Sequence, residues 1–379
     1  MKLLQKIKNK INKRFFGLDE IYENVNKSYY EKNSLLLYIT EPFKNYRLSH
    51  IHQNQWQARE LARIIGEFGF NVDVIHYSAK HPPIKKTYDL VVDINPHPEN
   101  INSEWLSHEV KKIAYITGGN PEFSNQAEQR RLDDLFARRG VRLQPRRSTP
   151  HFNRCYLESF DGVLFIGNEY NLTTYSGFTF QKVFHIKNTG YDFLLDREIP
   201  AKSAHDFLYI ASAGQVHKGL DLLLEVFADL PGLRLFVCSS FADEQDFCAA
   251  FEKELFHTPT IVPVGFVNIA SSRFQEILDS CSYVVMPSCS EASCGSVLTA
   301  MSGGLIPIVS RECGFADDEV HHLEDCSIES IRRLIIEFSK KTPEWIAKEA
   351  QLVKANVRER YSPEAYRTSI RLALREILK

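Results

Sequence analysis

The sequence predicts an α/β protein built from two doubly wound domains that face each other across a central cleft. Three observations carry that prediction. The chain has 379 residues, more than one typical domain and suited to two. From Ser34 onward, short apolar or β-branched runs alternate with amphipathic stretches of helical period. The whole plan then starts again near Phe207, after an aperiodic stretch over 190–203. Strands separated by helices pair in parallel, carry helices on both faces and bind ligands at their carboxyl ends.

The elements follow in order. SLLLYIT (34–40) has no helical stripe and reads as a buried strand, and WQARELARIIGEFG (56–69) is a helix with Leu61, Ile64, Ile65 and Phe68 on one face. FNVDVIHY, YDLVVDIN and KKIAYITGG are further strands, and QAEQRRLDDLFARRG is a charged helix stopped by Gly140. DGVLFIG and KVFHIKN complete the first set. In the second half FLYIAS, LRLFVCS, TIVPVGFV, YVVMPS and LIPIVS are strands. GLDLLLEVFADL, ADEQDFCAAFEKELF, SRFQEILDSC and SVLTAMSG are the helices between them, and the tail forms two helices broken at Ser362-Pro363. The expected divisions are a leader over 1–33, a first domain over 34–195, a second over 196–361 and a terminal helix over 362–379.

Composition narrows the function. A formal net charge of −2 gives no reason to expect nucleic acid as a partner. The eight cysteines are scattered without a C-x-x-C pair, which suits reduced thiols in a cytoplasmic setting. His50/His52 and His321/His322 lack a third ligand nearby, so no metal site is expected. No apolar run reaches the ~18–20 residues of a membrane span. The first sixteen residues are basic and amphipathic, with Leu3, Leu4, Ile7, Ile11 and Phe15 at helical spacing among lysines. They suit either a solvated leader or a peripheral contact with an anionic membrane face.

The chemistry collects in the second half. After FLYIAS the loop AGQVHKG ends at Lys218-Gly219, just ahead of an amphipathic helix. A lysine there adds a full charge to the partial charge of exposed amides and favours phosphate, although such a lysine is also common on plain surfaces. After YVVMPS the turn CSEASCGS leads into SVLTAM. Gly295 permits close backbone approach, and the amides of Gly295, Ser296 and Val297 are first-turn donors. Glu291, in that turn, can accept hydrogen bonds from neutral hydroxyls but repels phosphate; alone it would equally suit a capping glutamate. One acid beside an anion-binding helix start points to a ligand with hydroxyls at one end and phosphate at the other, as in a nucleotide sugar.

These residues resemble retaining glycosyltransferases of the two-Rossmann-domain (GT-B) architecture, the family 4 (group 1) type. The likeness rests on Lys-Gly before LDLLLEVF, on Pro-Ser-x-x-Glu followed by glycine, and on the glycine-and-proline strand GLIPIV. IKNTGYD is similar to the family's inter-domain turn, and YSPEAYRTSI resembles its terminal helix packing back on the first domain. The resemblance implies that Lys218 holds the donor diphosphate and that Glu291 contacts the transferred sugar. It implies that the amides of Gly295, Ser296 and Val297 complete the cradle, with the loop glycine displaced to Gly214. The family's second glutamate, which takes the ribose hydroxyls, is replaced by Thr299, and its loop arginine by Ala213. A threonine makes fewer bonds to a diol than a carboxylate. The loop amides are expected to stand in for the arginine, and Lys218, as a loop residue, is expected to be dispensable for folding.

On the acceptor side, Ser49 is expected to cap the first helix, leaving His50, His52 and Asn54 near its start. Thr117, Gly118, Gly119 and Asn120 follow a strand and offer close backbone approach. Arg138, Arg139, Arg142, Arg146 and Arg147 read as a solvated basic face, or as one meeting an acidic or lipid-phosphate acceptor. The resemblance thus implies a retaining transferase using a nucleotide-diphosphate sugar, no metal, and a glycan, lipid-linked or surface-polysaccharide acceptor. Rival readings are an epimerase-like enzyme of the same architecture and a non-catalytic nucleotide-sugar-binding subunit.

Overall fold

The computed structural model describes residues 18–44 and 52–379. The leader segment 1–16, Ser49 and His50 lie outside them. The first sheet contains β1 (Ile21–Tyr22), β2 (Lys32–Tyr38), β3 (Phe70–His76), β4 (Tyr88–Asp93), β5 (Leu106–Ile116), β6 (Gly162–Ile166) and β7 (Val183–Ile186). Their order is β1-β3-β2-β4-β5-β6-β7, with β1 antiparallel and the other pairings parallel. The second sheet contains β8 (Asp206–Ile210), β9 (Arg234–Cys238), β10 (Ile261–Pro263), β11 (Tyr283–Met286), β12 (Ile306–Val309) and β13 (His321–His322). Its order is β10-β9-β8-β11-β12-β13, parallel throughout.

Both sheets reverse direction at one point, between β2 and β4 in the first and between β8 and β11 in the second. At such a point the loops leaving neighbouring strands diverge and open a crevice. Lys218 follows β8 and Glu291 follows β11, so the second crevice brings together two side chains that lie 73 positions apart. Buried strands such as Leu35–Leu37, at 0–1% exposure, are apolar on both faces because helices cover both.

Among the helices, α1 (Asn54–Glu67) buries Leu61, Ile64 and Ile65 against the first sheet. α2 (Pro121–Arg139) is capped by Asn120, whose side chain accepts from Glu122 N, and ends at the left-handed Gly140. α3 (Leu220–Ala228) and α4 (Gly295–Ser302) follow the two loops of the second crevice. α5 (Pro343–Arg360) packs on the second domain, and α6 (Pro363–Ile377) returns to the first. The break falls at Ser362, which caps α6, with Pro363 at its first position, where a missing N–H is harmless. Tyr366, Ile370 and Leu374 join the core of the first sheet.

Three expectations need correction. The first domain begins before residue 34, because β1 lies along β3 and β2 starts at Lys32. His321 and His322, outside the expected strands, form one at the edge of the second sheet. Like β1, it is two residues long, too short to show a period. The stretch 242–256 is not one helix. Glu244 leaves the helical conformation between Phe241–Asp243 and Gln245–Ala250, because its carboxylate is drawn to the amides of Gly214 and Gln215.

The domains are closely joined. Arg138 pairs with the fully buried Asp221 at 2.7 Å, Arg139 with Glu254 at 2.8 Å, and Arg146 with Asp246. These three arginines therefore clasp the second domain, and Arg142 lies over the Phe136 ring. The basic run is largely exposed, as a solvated face would be, but three of its members are also paired across the domain boundary. At the hinge, Gly190 N donates to Tyr361 O at 2.8 Å, and Asn188 receives Gln57 while donating to Ser293 O.

Candidate active site

Two cavities meet where the sheets face each other. One, of about 460 Å³, is lined from the first domain by Tyr38, Asn54, Asn95, Thr117, Gly118 and Gly119, with Glu291 at its far wall. The other, of about 280 Å³, is lined by Ala211, Lys218, Gly295, Ser296 and Thr299, again with Glu291. Glu291 and Arg147 line both. Among the described residues, Glu291 is the one carboxylate in either wall.

Lys218 and Glu291 are hydrogen-bonded to each other, and Ser288 Oγ donates to the same carboxylate oxygen at 3.0 Å. Both side chains are largely buried, at 5% and 13% exposure. Burial alone would raise the carboxyl, but the Lys218 ammonium, helped by Arg147, holds Glu291 down at about 2. The same pairing outweighs burial and raises the lysine. The pair stays ionised at neutral pH. Lys218 is thus no free loop residue: its charge balances a buried acid, so the fold depends on it.

The loop that carries Lys218 is held from below. Glu244, itself buried, accepts from Gly214 N at 2.6 Å, Gln215 N at 3.3 Å and Gln215 Nε2 at 3.2 Å. The amides of Lys218, Gly219 and Leu220 bond to carbonyls within the turn. These amides therefore have partners, which corrects the expectation that they take over the role of the absent arginine.

α4 starts at Gly295 with Cys294 at its cap, and the Cys294 sulfur takes the Val297 amide, which leaves the first-turn N–H groups of Gly295 and Ser296 at the cavity wall. Gly295 and Ser296 line that cavity, while the Val297 side chain is fully buried beneath. Thr299 is in the wall too, but its hydroxyl donates to Gly295 O at 2.8 Å and receives Gln53 Nε2 at 3.2 Å. Gln53, from the first domain, also donates to Gly295 O, and a Cβ on Gly295 would lie 2.7 Å from its Oε1. The hydroxyl expected to meet a ribose is already occupied.

Of the residues expected on an acceptor side, Thr117, Gly118 and Gly119 line the larger cavity. A Cβ at Gly119 would lie 2.8 Å from Ser290 Oγ, so glycine permits the domains to approach. Asn120 does not reach the cavity: it caps α2 and its N–H donates to Thr174 Oγ1. His52 lines the smaller cavity, with Lys218, and its Nδ1 accepts from Asn54 N at 3.1 Å. The cap of α1 is Gln53, not Ser49, and its side chain crosses the cleft rather than bonding the helix. Gln53, Glu128, Glu244 and Ser290 carried no signal in the sequence, because each acts through a neighbour distant along the chain.

His217 sits beside the pair with Nε2 2.8 Å from Ser290 O, which places its proton on Nε2. Among the described residues Nδ1 has no hydrogen-bond partner, and it lies 4.0 Å from Glu128. Burial, partly offset by Glu291, pushes the imidazolium down to about 4. Below about pH 6.5 the unfolded chain takes a proton that the folded one refuses until about pH 4. Stability should therefore be full above pH 6.5 and fall by up to about 3 kcal/mol as pH drops to 4. Urea melts of the wild type and His217→Gln at pH 7 and 4.5 check this. The variant should lose less on acidification, and equal losses would contradict it.

Fold and site together define the class: a two-domain protein of the GT-B glycosyltransferase architecture, its cleft formed by the carboxyl ends of two parallel sheets. Residues 204–353, within the second domain, match the family model described as glycosyl transferases group 1. No curated protein matches the chain by sequence. Among solved structures, a glycosyltransferase from Rickettsia africae ESF-5 is similar with TM-score 0.60 at 12% identity, covering 92% of this chain and 100% of that one. Anabaena HepE in complex with UDP and glucose gives 0.54 at 11% identity, covering 92% and 99%. An S. aureus TarM mutant in complex with Fondaparinux, alpha-GlcNAc-glycerol and UDP gives 0.53 at 15% identity over 76% of this chain. The chain spans 55% of the length of that TarM. At these identities the likeness establishes the fold. No helix among the described residues is long and apolar enough to cross a membrane.

Proposed function

We propose that the chain is a retaining glycosyltransferase that moves a sugar from a nucleoside-diphosphate sugar to a glycan or lipid-linked acceptor. The observation that carries this reading is Glu291, held by Lys218 and Ser288 where the two cavities meet. On its donor side stand an ammonium and the open first turn of α4, which suit a diphosphate. On its other side Tyr38, Tyr77, Phe152 and Tyr175 stand among Asn54, Asn95 and Thr117, the mix of flat apolar faces and amides that suits a sugar ring. UDP and sugars in the complexes of HepE and TarM fit the same division.

In this reading Glu291 accepts hydroxyls of the sugar being moved. Lys218 spends one N–H on Glu291 and turns the others to the departing diphosphate. The acceptor hydroxyl attacks from the face the diphosphate leaves and passes its proton to the departing phosphate oxygen. Charge grows on that oxygen as the glycosidic bond breaks, so donors fixed there favour the transition state over the bound donor. The test is a panel of nucleoside-diphosphate sugars with simple glycosides as acceptors. Release of nucleoside diphosphate is expected, and proton NMR should find the donor's anomeric configuration in the product. An inverted product would overturn the retaining route. Tight donor binding without turnover would leave a nucleotide-sugar-binding subunit instead.

A further inference from the structure

We propose that Arg147, carried by the first domain, is the second cation of the diphosphate site in the second domain. The inference rests on the nucleotide-sugar reading above and adds a residue to it. Charge balance is its first support. Lys218 and Glu291 cancel each other, and burial keeps His217 neutral at pH 7. Among the described residues, Arg147 supplies the remaining fixed positive charge in a cavity proposed to take a diphosphate, which brings at least two negative charges. The second support is the loop after β8, where Glu244 occupies the amides of Gly214 and Gln215. That loop cannot turn those donors to phosphate.

Geometry supplies the third. The Arg147 amide donates to both oxygens of the buried Glu128 carboxylate, at 3.0 and 3.2 Å, which fixes the root of the side chain. Its stem lies on Gly214: a Cβ there would come within 2.6 Å of Arg147 Cγ and 3.0 Å of Cδ. Gly214 has φ +89°, so its backbone favours glycine as well. The side chain extends to the wall shared by both cavities, and its charge acts on Lys218, Glu291 and His217. Arg138, Arg139 and Arg146, from the same run, are committed to Asp221, Glu254 and Asp246. Among the described residues no acid pairs with the Arg147 guanidinium. A planar fork with five N–H donors on an open side suits phosphate oxygens. Because the arginine comes from the opposite domain, full charge balance for the diphosphate requires the two domains to be docked.

Calorimetry with UDP and UMP tests this, with GDP/GMP and ADP/AMP in reserve should UDP not bind. Arg147→Ala should weaken the diphosphate about 10- to 100-fold while changing the monophosphate by less than about threefold. Arg147→Lys should recover part of the loss, and Arg146→Ala should change neither ligand. Unchanged diphosphate affinity in Arg147→Ala would overturn the inference. So would an equal loss for both nucleotides, which would make Arg147 a structural residue. If the wild type binds none of the three diphosphates, the nucleotide-sugar reading itself fails and this inference fails with it. Melting temperatures of the variants should match the wild type, because the side chain is exposed.

Discussion

Replacing Lys218 by alanine is expected to cut turnover about 10²–10³-fold, the scale of losing one donor to the charge that develops in the transition state. It should also destabilise the fold by about 3–5 kcal/mol, because the Glu291 carboxylate would remain buried without its cation. The two effects separate in a second variant. Lys218→Met combined with Glu291→Gln removes both charges, and replacing a whole buried pair costs far less than breaking it. The double variant should recover most of the stability and none of the turnover. Urea unfolding and release of nucleoside diphosphate are the two measurements. Near-normal turnover in folded Lys218→Ala would remove the lysine from the chemistry. Failure of the double variant to recover stability would mean that the pair is not what the fold loses.

The second large effect is expected at Gly219. This residue caps α3 with φ +76°, and a Cβ there would lie 2.5 Å from Pro287 O, a backbone atom of the neighbouring loop. Left-handed backbone and a fixed carbonyl leave alanine no relaxed position. Gly219→Ala should therefore cost about 3 kcal/mol from strain and displacement together. It should also move Lys218, the adjacent residue, relative to Glu291, which stands on the loop after Pro287. Donor affinity should fall more than about tenfold even where the variant is still folded, since a donor displaced by about 1 Å loses most of its advantage. Retained stability and affinity would show that the two loops can part without consequence.

The elements that set the frame were legible because their signals are local. The stretch 34–40 reads as a buried strand from its own apolar run, and 56–69 as a helix from Leu61, Ile64, Ile65 and Phe68, against an observed helix over Asn54–Glu67. Ser362-Pro363 marks its break by the geometry of proline. The two loops of the second crevice were legible for a related reason. Lys218 and the start of α4 each stand directly after a strand, and a loop between strand and helix gathers chemistry at the carboxyl edge whatever surrounds it.

What stayed hidden depends on partners from the other domain or from another loop. Glu244 looked like one residue of a continuous helix until the amides of Gly214 and Gln215 drew it out. Asn120 looked like an acceptor contact and proved to be a cap. His52 fell to the smaller cavity, and Thr299 had already given its hydroxyl to Gln53 and Gly295. The five arginines over 138–147 formed one basic run in the chain. Three became inter-domain clasps, one lies on an aromatic ring and Arg147 was left facing the cleft.

The sequence by itself determined two domains built on parallel sheets, the terminal helix after Ser362-Pro363, and the placing of a lysine loop and an acidic turn after strands of the second domain. Hydrophobic period, capping and backbone sterics act over a few residues, and the chain states them directly. Only the tertiary structure decided which charges remain free. An ammonium that pairs with a buried acid and a guanidinium that reaches across a cleft are set by distances between residues far apart in sequence. Coulomb energy and desolvation depend on those distances and on burial, and on nothing that a local pattern records.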